Sequence, residues 1–445
     1  MIEPKTLAGF LDWLPQKALL KENLILKIKQ VLLQHGFLPI ETPHLEYAQT
    51  LMGEAEGENK KLIYHFEDHG QRKIALRFDH TVPLARFVSQ HKNELSFPFK
   101  RYVVGNVFRG ESPQAGRYRE FTQFDFDCIG SNSIHADVEI LLIIAQTLSA
   151  IGVQHFEIHF NHRLFFEALA QSLGVQDGLK EILRAVDKFE KIGPEGVKKE
   201  LTQKLTPEQS ESILKFIALP TENFSQFQDQ IQQNYPIHLF EKPLKEVTSV
   251  LEIFHPLLPK EHLKLNLKIA RGLDYYTGMV FETFLTHQKL ENKQFPPLGS
   301  VCSGGRYDNL VSSFSKDLLP GVGASIGLDR LLAYLEGENQ TLVEASPLLY
   351  LGLLDTANFG FAEQLAKDLR SFSLRVEVSF QEEKIKRHFA QANKKNAHYL
   401  IAIGKEEVEL GTFTLANLKT GEKIQALKRK DLKSVILRAS PSKED

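Results

Sequence analysis

The sequence predicts an α+β fold, with an antiparallel sheet flanked by helices, a helical insertion, and a small α/β domain at the end. Three observations support this prediction. From Leu62 to Asp127 the chain consists of short, aromatic-rich runs of period two, separated by glycine and proline, as antiparallel strands are. Residues 172–262 are rich in lysine, glutamate and glutamine at helical spacing. From residue 348 onward, strand-like and helix-like segments alternate.

The first elements follow from apolar spacing and from breaker residues. Apolar side chains recur at helical spacing from Lys17 to His35, which predicts a helix that ends at Gly36. A short strand and a break at Pro43 precede the predicted sheet. A strongly apolar helix is expected over 137–151, and a further strand begins at His155.

Strand-like sequence returns after the insertion and leads to the second domain. We expect strands from Leu263 to Phe284, a glycine-punctuated segment from Ser303 to Val311, and a helix from Ala324 to Leu335. The alternation after residue 348 predicts a largely parallel sheet. The expected domain boundaries are 1–171 and 263–340 for the two parts of the first domain, 172–262 for the insertion, 341–347 for a linker and 348–445 for the α/β domain.

Composition limits the classes of function. The 445 residues carry 54 lysines and arginines against 56 aspartates and glutamates, so a polyanion site has to be a local patch. Two cysteines, Cys128 and Cys302, exclude a disulfide framework and a four-thiolate zinc site. The N-terminus lacks the apolar segment of a signal peptide, and apolar runs are far shorter than the ~20 residues of a membrane span. We therefore expect a cytoplasmic protein without membrane contact.

Two weak motifs favour structural explanations. The glycines of Gly321–Gly327 have the wrong spacing for a dinucleotide fingerprint, and the chain contains no P-loop. His155, His159 and His162 are close in sequence, but only the first two share a face of a strand. Packing or solvent contact explains these histidines better than metal binding.

Arginines near strand ends indicate an anionic ligand. Arg109 ends an apolar strand, where an unpaired charge is costly, and Arg117 and Arg119 follow in a short loop before the next strand. A hairpin with arginines at its ends suits a polyphosphate, because guanidinium binds phosphate bidentately, and Phe121 offers a flat face to a base. Surface salt bridges explain the same residues equally well when they are considered alone.

Three other segments add polar groups to apolar surroundings. Gln123, Asp125 and Asp127 alternate along one strand, on the same face as Phe121, which favours a lined pocket over a packed core. Arg271 precedes a loop with a carboxylate and two phenols, Tyr275 and Tyr276. Arg330 lies in the apolar segment GASIGLDRLLAYL, where an arginine needs an anion. Separated arginines in such contexts favour one shared anionic ligand.

These residues lie in segments that resemble class II aminoacyl-tRNA synthetases, and among them the histidyl-tRNA synthetases. The segments Gly36–Glu46, Phe108–Asp127 and Gly323–Leu332 are similar to the three motifs of the class. Arg271–Glu282 and Ser303–Val311 are similar to the two signatures of the histidine enzymes. Lys384–Glu407 resembles part of their anticodon-binding domain. The resemblance covers nearly the whole chain and is least clear in the insertion.

The resemblance implies a role for each candidate residue. Arg109 and Arg271 would act catalytically at the α-phosphate of ATP, with Arg271 in the place that other class II enzymes give to a metal. The residues implied to bind ATP are Arg109, Glu111, Arg117, Phe121 and Arg330. The residues implied to bind histidine are Asp79, Thr81, Gln123, Asp127, Arg271, Tyr275 and Tyr276. Gln114 would contact the tRNA acceptor stem.

The resemblance also implies the activity and the partners. The chain would be a ligase that activates L-histidine with ATP and Mg²⁺ and transfers it to tRNA(His), as a homodimer and without protein-bound zinc. The sequence departs from the family pattern at Leu11, Ser112 and Ala416, where the family pattern predicts larger or basic side chains. The resemblance therefore does not define the tRNA contacts at these positions.

Two other functions compete with this interpretation. One is a regulatory paralogue that binds a phosphoribosyltransferase of histidine biosynthesis, but such proteins lack the anticodon-binding domain and parts of the ATP site. The other is a sensor of uncharged tRNA without catalysis, which is more often fused to an effector domain. The residues from Leu348 onward and the arginines of the ATP site favour the synthetase over both.

Overall fold

The chain divides into two compact units, Met1–Leu342 and Val343–Asp445. The computed structural model describes residues 2–53, 62–112, 118–271, 275–286, 299–337 and 348–438. Within these residues no helix is both long and apolar enough to cross a membrane. The finer domain boundaries expected above stay a prediction.

The first unit is built on an eight-stranded sheet with the order β1-β5-β6-β11-β10-β9-β7-β8. Neighbouring strands from β5 to β7 run antiparallel, while β1 and β8 pair in parallel at the two edges. This confirms the predicted antiparallel sheet. A separate small sheet contains three strands in the order β2-β4-β3. The described strands of the unit are β1 (Leu38–Pro39), β2 (Leu45–Tyr47), β3 (His65–Glu67), β4 (Lys73–Leu76), β5 (Phe99–Phe108), β6 (Glu120–Ile129), β7 (Phe156–His162), β8 (Leu263–Leu265), β9 (Met279–Leu285), β10 (Cys302–Tyr307) and β11 (Gly321–Gly327).

Helices cover one face of the large sheet and form the insertion. The helices of the first unit are α1 (Pro15–Gln34), α2 (Ala48–Met52), α3 (Thr81–His91), α4 (Ile134–Ala150), α5 (Arg163–Ser172), α6 (Leu179–Asp187), α7 (Phe189–Leu201), α8 (Pro207–Ile217), α9 (Phe224–Asn234), α10 (Ile237–Phe254) and α11 (Leu328–Gly337). Helices α6 to α10 lie between β7 and β8 in sequence, which agrees with a helical insertion. Ile182 and Phe240 of the insertion belong to the same apolar core as Phe160 of β7. The insertion therefore packs onto the sheet through a continuous core.

The predicted helix from Ala324 to Leu335 is wrong in its first turn. Gly321–Gly327 is the strand β11, which lies between β6 and β10, and the helix begins at Leu328. Small residues suit this central strand because its neighbours approach closely: a Cβ on Gly323 would lie 1.9 Å from Asp127 Oδ1. The strand continues directly into α11, so no loop separates the two elements in the sequence.

The second unit contains a five-stranded sheet with the order β13-β12-β14-β15-β16. Its elements are β12 (Leu348–Leu353), α12 (Phe359–Arg370), β13 (Arg375–Val378), α13 (Ile385–Lys394), β14 (Tyr399–Ile403), α14 (Lys405–Leu410), β15 (Thr412–Asn417), β16 (Lys423–Lys428) and α15 (Arg429–Arg438). The expectation of a largely parallel sheet holds for β12, β13 and β14 only, because β15 joins β14 and β16 in antiparallel pairing. A tight turn at Gly421 joins β15 to β16, and connections this short produce antiparallel hairpins.

Candidate active site

The polar face of β6 is the centre of the candidate site. Phe124 and Phe126 point into the apolar core shared with α4. Side chains alternate along a strand, so Gln123, Asp125 and Asp127 lie on the opposite face. Asp125 and Asp127 are nevertheless almost completely buried. Burying carboxyl groups is costly unless they have partners or a ligand.

Strand register places polar side chains in a row across this face. Asp125 lies directly opposite Ser325 of β11, Ser325 opposite Ser303 of β10, and Ser303 opposite Glu282 of β9. Directly opposed residues share a face of the sheet. The next row, through Asp127, contains Gly323 of β11 and Gly305 of β10, and these glycines leave room for the Asp127 carboxyl and the Tyr276 ring, which lie against them. The sheet therefore supplies a polar floor, formed by Asp127 and by the row from Asp125 to Glu282.

A buried ion pair holds one end of this floor. Arg101 of β5 is opposite Asp127, and its Nη2 lies 2.6 Å from Asp127 Oδ2. The hydroxyl of Tyr307 donates a hydrogen bond to Asp127 Oδ1. Burial raises the pKa of Asp127, while Arg101 and Tyr307 oppose that effect. Asp127 thus has a fixed orientation.

Sequence reasoning missed the roles of Arg101, Tyr307 and Glu282. A basic residue within the apolar run at Arg101 was an available signal. Tyr307 lies within the segment Ser303–Val311, whose resemblance to a family signature gives this tyrosine no separate role. The partners of these residues become visible only with the strand register.

Arg271 reaches the floor from the segment between β8 and β9. Its Nη1 donates a hydrogen bond to Glu282 Oε1 at 2.7 Å, and its guanidinium lies 5.9 Å from the ring centre of Tyr276. Tyr276 and Tyr275 pack with ring centres 4.7 Å apart, and Tyr275 lies 6.1 Å from Tyr307. The structure therefore brings Arg271 and both tyrosines to the side of the floor where Asp127 lies.

Asp79 and Thr81 lie at the start of α3. The backbone N–H of Val82 donates to Asp79 Oδ1 at 3.2 Å, and Asp79 Oδ2 is buried without a hydrogen-bond partner. Burial raises the pKa of Asp79 to about 6, against the opposing charge of Arg109. Thr81 is the first residue of the helix and is half-buried. This end of α3 adds a third carboxyl group to the site.

Arg109 and Phe121 lie at the hairpin of β5 and β6, at another end of the candidate site. Arg109 Nε donates to the carbonyl of Phe78 at 3.0 Å, and its guanidinium lies 5.1 Å from the ring centre of Phe121. A carbonyl and an aromatic face orient Arg109 without neutralising its charge. The carbonyl of Glu111 accepts a hydrogen bond from Arg119 Nε at 3.0 Å, which closes the hairpin.

Arg330 lies in the first turn of α11 and is half-buried. Its Nη1 donates to the carbonyl of Ser300 at 2.9 Å. The neighbouring Asp329 forms an ion pair with Lys21 at 3.2 Å. Two expected residues, Arg117 and Gln114, fall outside the residues that the structure describes.

The histidines of β7 each lie within hydrogen-bond distance of a different glutamate. His159 Nε2 lies 2.9 Å from Glu157 Oε2, and His162 Nε2 lies 2.6 Å from Glu246 Oε2. Across the described ranges, no group of three or more histidine, cysteine, aspartate or glutamate side chains is arranged to hold a metal ion.

Two family models match the chain. The model of histidyl-tRNA synthetase matches residues 9–331, and the model of an anticodon binding domain matches residues 349–439. Histidine–tRNA ligase from Wolinella succinogenes is 44% identical over 430 residues, which are 95% of each chain. The ligase of that name from Helicobacter hepaticus is 43% identical over 439 residues, 96% of this chain and 97% of the relative.

Solved structures are similar over the same length. The crystal structure of histidyl-tRNA synthetase from Nostoc aligns with a TM-score of 0.85 at 32% identity, over 99% of this chain and 100% of that one. A Bacillus halodurans protein, described as an ATP phosphoribosyltransferase regulatory subunit/histidyl-tRNA synthetase, shares the fold with a TM-score of 0.73 at 22% identity, over 89% of this chain and 97% of that one. From the matched model, the identities and the site geometry together, the chain belongs to the histidyl-tRNA synthetase family.

Proposed function

We propose that this chain activates L-histidine with ATP, forming histidyl-adenylate and pyrophosphate, and then transfers histidine to the 3′ end of tRNA(His). The observation that carries the proposal is the meeting of Asp127, Tyr276 and Arg271 on one polar floor. A hydrogen-bond acceptor and a phenol suit the two nitrogens of an imidazole, and a cation suits a carboxylate.

The site offers a hydrogen-bond partner to both nitrogens of a neutral imidazole. Asp127, fixed by Arg101, accepts from the nitrogen that carries a proton. Burial raises the pKa of Tyr276, so its hydroxyl keeps its proton and donates to the other nitrogen. A pocket built for such hydrogen bonds rejects apolar side chains by roughly 10⁴-fold or more. Tyr275 packs beside Tyr276 and limits its movement.

The α-ammonium group of histidine fits the acidic side of the site. Asp79 Oδ2 and Gln123 Oε1 are buried oxygens without hydrogen-bond partners. Oxygens of this kind are stabilised when a ligand supplies donors. We assign the ammonium group to Asp79 and Gln123, with Thr81 beside them.

The reacting groups are both anionic, so the step needs fixed cations. The carboxylate of histidine attacks the α-phosphorus of ATP and pyrophosphate leaves on the opposite side. We assign Arg109 and Arg271 to the α-phosphate and the carboxylate, and Arg330 to the γ-phosphate. Positioned charges that need no reorganisation account for most of the catalysis in such a site.

The adenine end of ATP suits the hairpin of β5 and β6. Phe121 presents an aromatic face beside Arg109. We assign Phe121 to stacking on adenine, Glu111 to the adenine edge, and Arg117 to the phosphates. Mg²⁺ neutralises phosphate charge in reactions of this type, and we propose that it is held chiefly by the phosphates of ATP.

The second unit carries features that suit single-stranded RNA. Phe380 is 82% exposed and lies 6.3 Å, between ring centres, from Phe359. Lys384 and Arg387 follow in the sequence and are also exposed. Exposed aromatic rings beside basic side chains stack unpaired bases and hold the phosphates. We propose that this surface contacts the anticodon, and that Gln114 contacts the acceptor stem.

We further propose that the chain acts in the cytoplasm as a homodimer. The segment around Pro43 exposes large apolar side chains, with Leu38 and Tyr47 each 60% exposed. The edge strand β1 contains only two residues. A symmetric partner would cover both features. Sedimentation equilibrium should give twice the mass of 50.6 kDa, and a monomer would contradict this part of the proposal.

Aminoacylation tests the complete function. Purified protein with ATP, Mg²⁺, labelled histidine and tRNA(His) should produce acid-precipitable label. The regulatory paralogue and the uncharged-tRNA sensor both predict none. Binding of tRNA without charging would favour the sensor.

A further inference from the structure

We propose that Asp125 is a further carboxyl of the amino-acid pocket and that it releases a proton when the α-ammonium group of L-histidine binds. This inference rests on the function proposed above. The roles assigned there use Asp79 and Asp127 and leave Asp125, which lies close to both, without a part in the chemistry.

The position of Asp125 is the first argument. It lies between Gln123 and Asp127 on the polar face of β6, it is 4% exposed, and its Oδ1 has no hydrogen-bond partner. A buried carboxyl oxygen in this condition calls for a donor that arrives with a ligand. The nearby oxygens of Asp79 and Gln123 share the same deficit. The three together are suited to an ammonium group, which carries three donors.

The balance of charge around Asp125 is the second argument. Among the described residues, six groups interact electrostatically or by a hydrogen bond with the Asp125 carboxyl. They are Arg101 of β5, Asp127 of β6, Asp79 before α3, Arg77 after β4, Cys302 of β10 and the hydroxyl of Ser325 on β11. Arg101 pairs with Asp127 at 2.6 Å. Arg77 donates to the carbonyls of Asn106 and Thr42. Asp79 and Asp125 thus lie near each other, with Arg101 paired to Asp127 and with Arg77 and Arg109 acting on the two carboxyls as nearby charges.

The titration of Asp125 agrees with this arrangement. Burial raises its pKa to about 7, Arg101 and the Ser325 hydroxyl oppose that rise, and the negative charges of Asp127 and Asp79 add to it. The corresponding value for Asp79 is about 6. At neutral pH the empty site thus holds Asp79 mainly ionised and Asp125 about half protonated.

Binding changes this balance in a defined direction. The ammonium group of histidine brings a positive charge next to both carboxyls, which favours their ionised forms. The carboxylic acid of Asp125 then loses its proton to the buffer, and the resulting carboxylate pairs with the ammonium group. No covalent bond of the ligand changes in this step.

Calorimetry measures the released proton directly. Histidine is titrated into the full-length protein at pH 7 in buffers with different enthalpies of ionisation, and the slope gives the number of protons exchanged. The wild-type protein should release about half a proton per histidine from Asp125. The variant Asp125→Asn, matched in size, should bind histidine with that release missing. The proton of the free imidazole contributes equally in both proteins, so the difference isolates Asp125.

A second variant retains the carboxyl and remains informative where Asp125→Asn does not fold. Ser325→Ala removes a hydroxyl that favours the ionised form of Asp125. Its proton release should therefore persist and reach its maximum at a higher pH than in wild type. Equal release by wild type and Asp125→Asn, no release by wild type, or an unshifted profile in Ser325→Ala would each overturn the inference. A wild-type protein that neither binds histidine nor exchanges pyrophosphate would instead refute the proposed function itself.

Discussion

Arg101 and Asp127 lie directly opposite each other on β5 and β6, and their side chains form an ion pair of 2.6 Å that is shielded from solvent. Arg101 is 0% exposed. The pair orients the carboxyl group to which we assign the imidazole of histidine. On this assignment, both the stability of the first unit and the recognition of histidine would depend on the same contact.

Replacing Arg101 should destabilise the first unit strongly. Arg101→Leu leaves Asp127 buried without its counter-charge, which costs about 3–5 kcal/mol. The single tryptophan, Trp13, lies in this unit, so urea unfolding followed by its fluorescence measures the loss. As a control in the same unit, Lys188→Ala removes an exposed ion pair with Glu200 and should cost less than about 1 kcal/mol. Equal small losses in both variants would show that the Arg101–Asp127 pair contributes little.

Replacing Arg271 should strongly slow the activation of histidine. Arg271→Ala removes one of the fixed cations proposed at the α-phosphate, and loss of one such group costs about 3 kcal/mol or more, over 100-fold in kcat. ATP–pyrophosphate exchange with histidine measures this effect. Arg370→Ala, which removes an arginine of the second unit, should exchange at the wild-type rate. Unchanged exchange in Arg271→Ala would remove this residue from the mechanism.

Adding one methyl group at Gly323 should disrupt the site. A Cβ there would lie 1.9 Å from Asp127 Oδ1 and 2.8 Å from the carbonyl oxygen of Phe126. Gly323→Ala should therefore lose about 3 kcal/mol or more of stability, together with histidine binding. Gly360 of α12 has nothing within 4 Å of an added Cβ, so Gly360→Ala should be neutral or stabilising by up to about 1 kcal/mol. A fully active Gly323→Ala protein would mean that β6 and β11 are less closely packed.

The stability of the ligand-free protein should fall as pH rises toward neutrality. Burial places the pKa of Asp79 at about 6 and that of Asp125 at about 7, both above the ordinary 3.8. Between about pH 4 and pH 7 the folded state binds more protons than the unfolded state, so raising the pH favours unfolding. For Asp125 the loss approaches about 4 kcal/mol, as an order of magnitude.

Urea unfolding between pH 5 and pH 8 measures this dependence. Asp125→Asn should show a smaller decrease than wild type, because the amide does not titrate. Parallel pH profiles of the two proteins would contradict the account.

The second unit should affect tRNA charging and not histidine activation. Phe380→Ala removes an exposed ring, and base stacking on such rings is worth about 1–3 kcal/mol. Aminoacylation should therefore weaken through the KM for tRNA(His), with pyrophosphate exchange unchanged. Leu410→Ala, at a residue that is 71% exposed, provides the matched apolar control. An equal effect in both variants would place the anticodon elsewhere.

Sequence periodicity predicted the polar face of the site but not its partners. Alternation along β6 correctly separated Asp125 and Asp127 from the core residues Phe124 and Phe126. The ion pair between Asp127 and Arg101 depends on the register between β5 and β6. The sequence of one strand contains no information about that register.

The helix wrongly predicted to begin at Ala324 shows a second limit of prediction from sequence. Small, apolar residues suit either a close-packed central strand or a helix, and only the neighbours decide. Here the space beside Gly323 is filled by Asp127, which the sequence does not place next to it.

ATP–pyrophosphate exchange, run with each of the twenty amino acids, tests the central claim most directly. The account predicts exchange with histidine alone, and its loss in Arg271→Ala. Exchange with another amino acid would contradict the assignment of Asp127 and Tyr276 to the imidazole. No exchange with any amino acid would contradict the synthetase function as a whole.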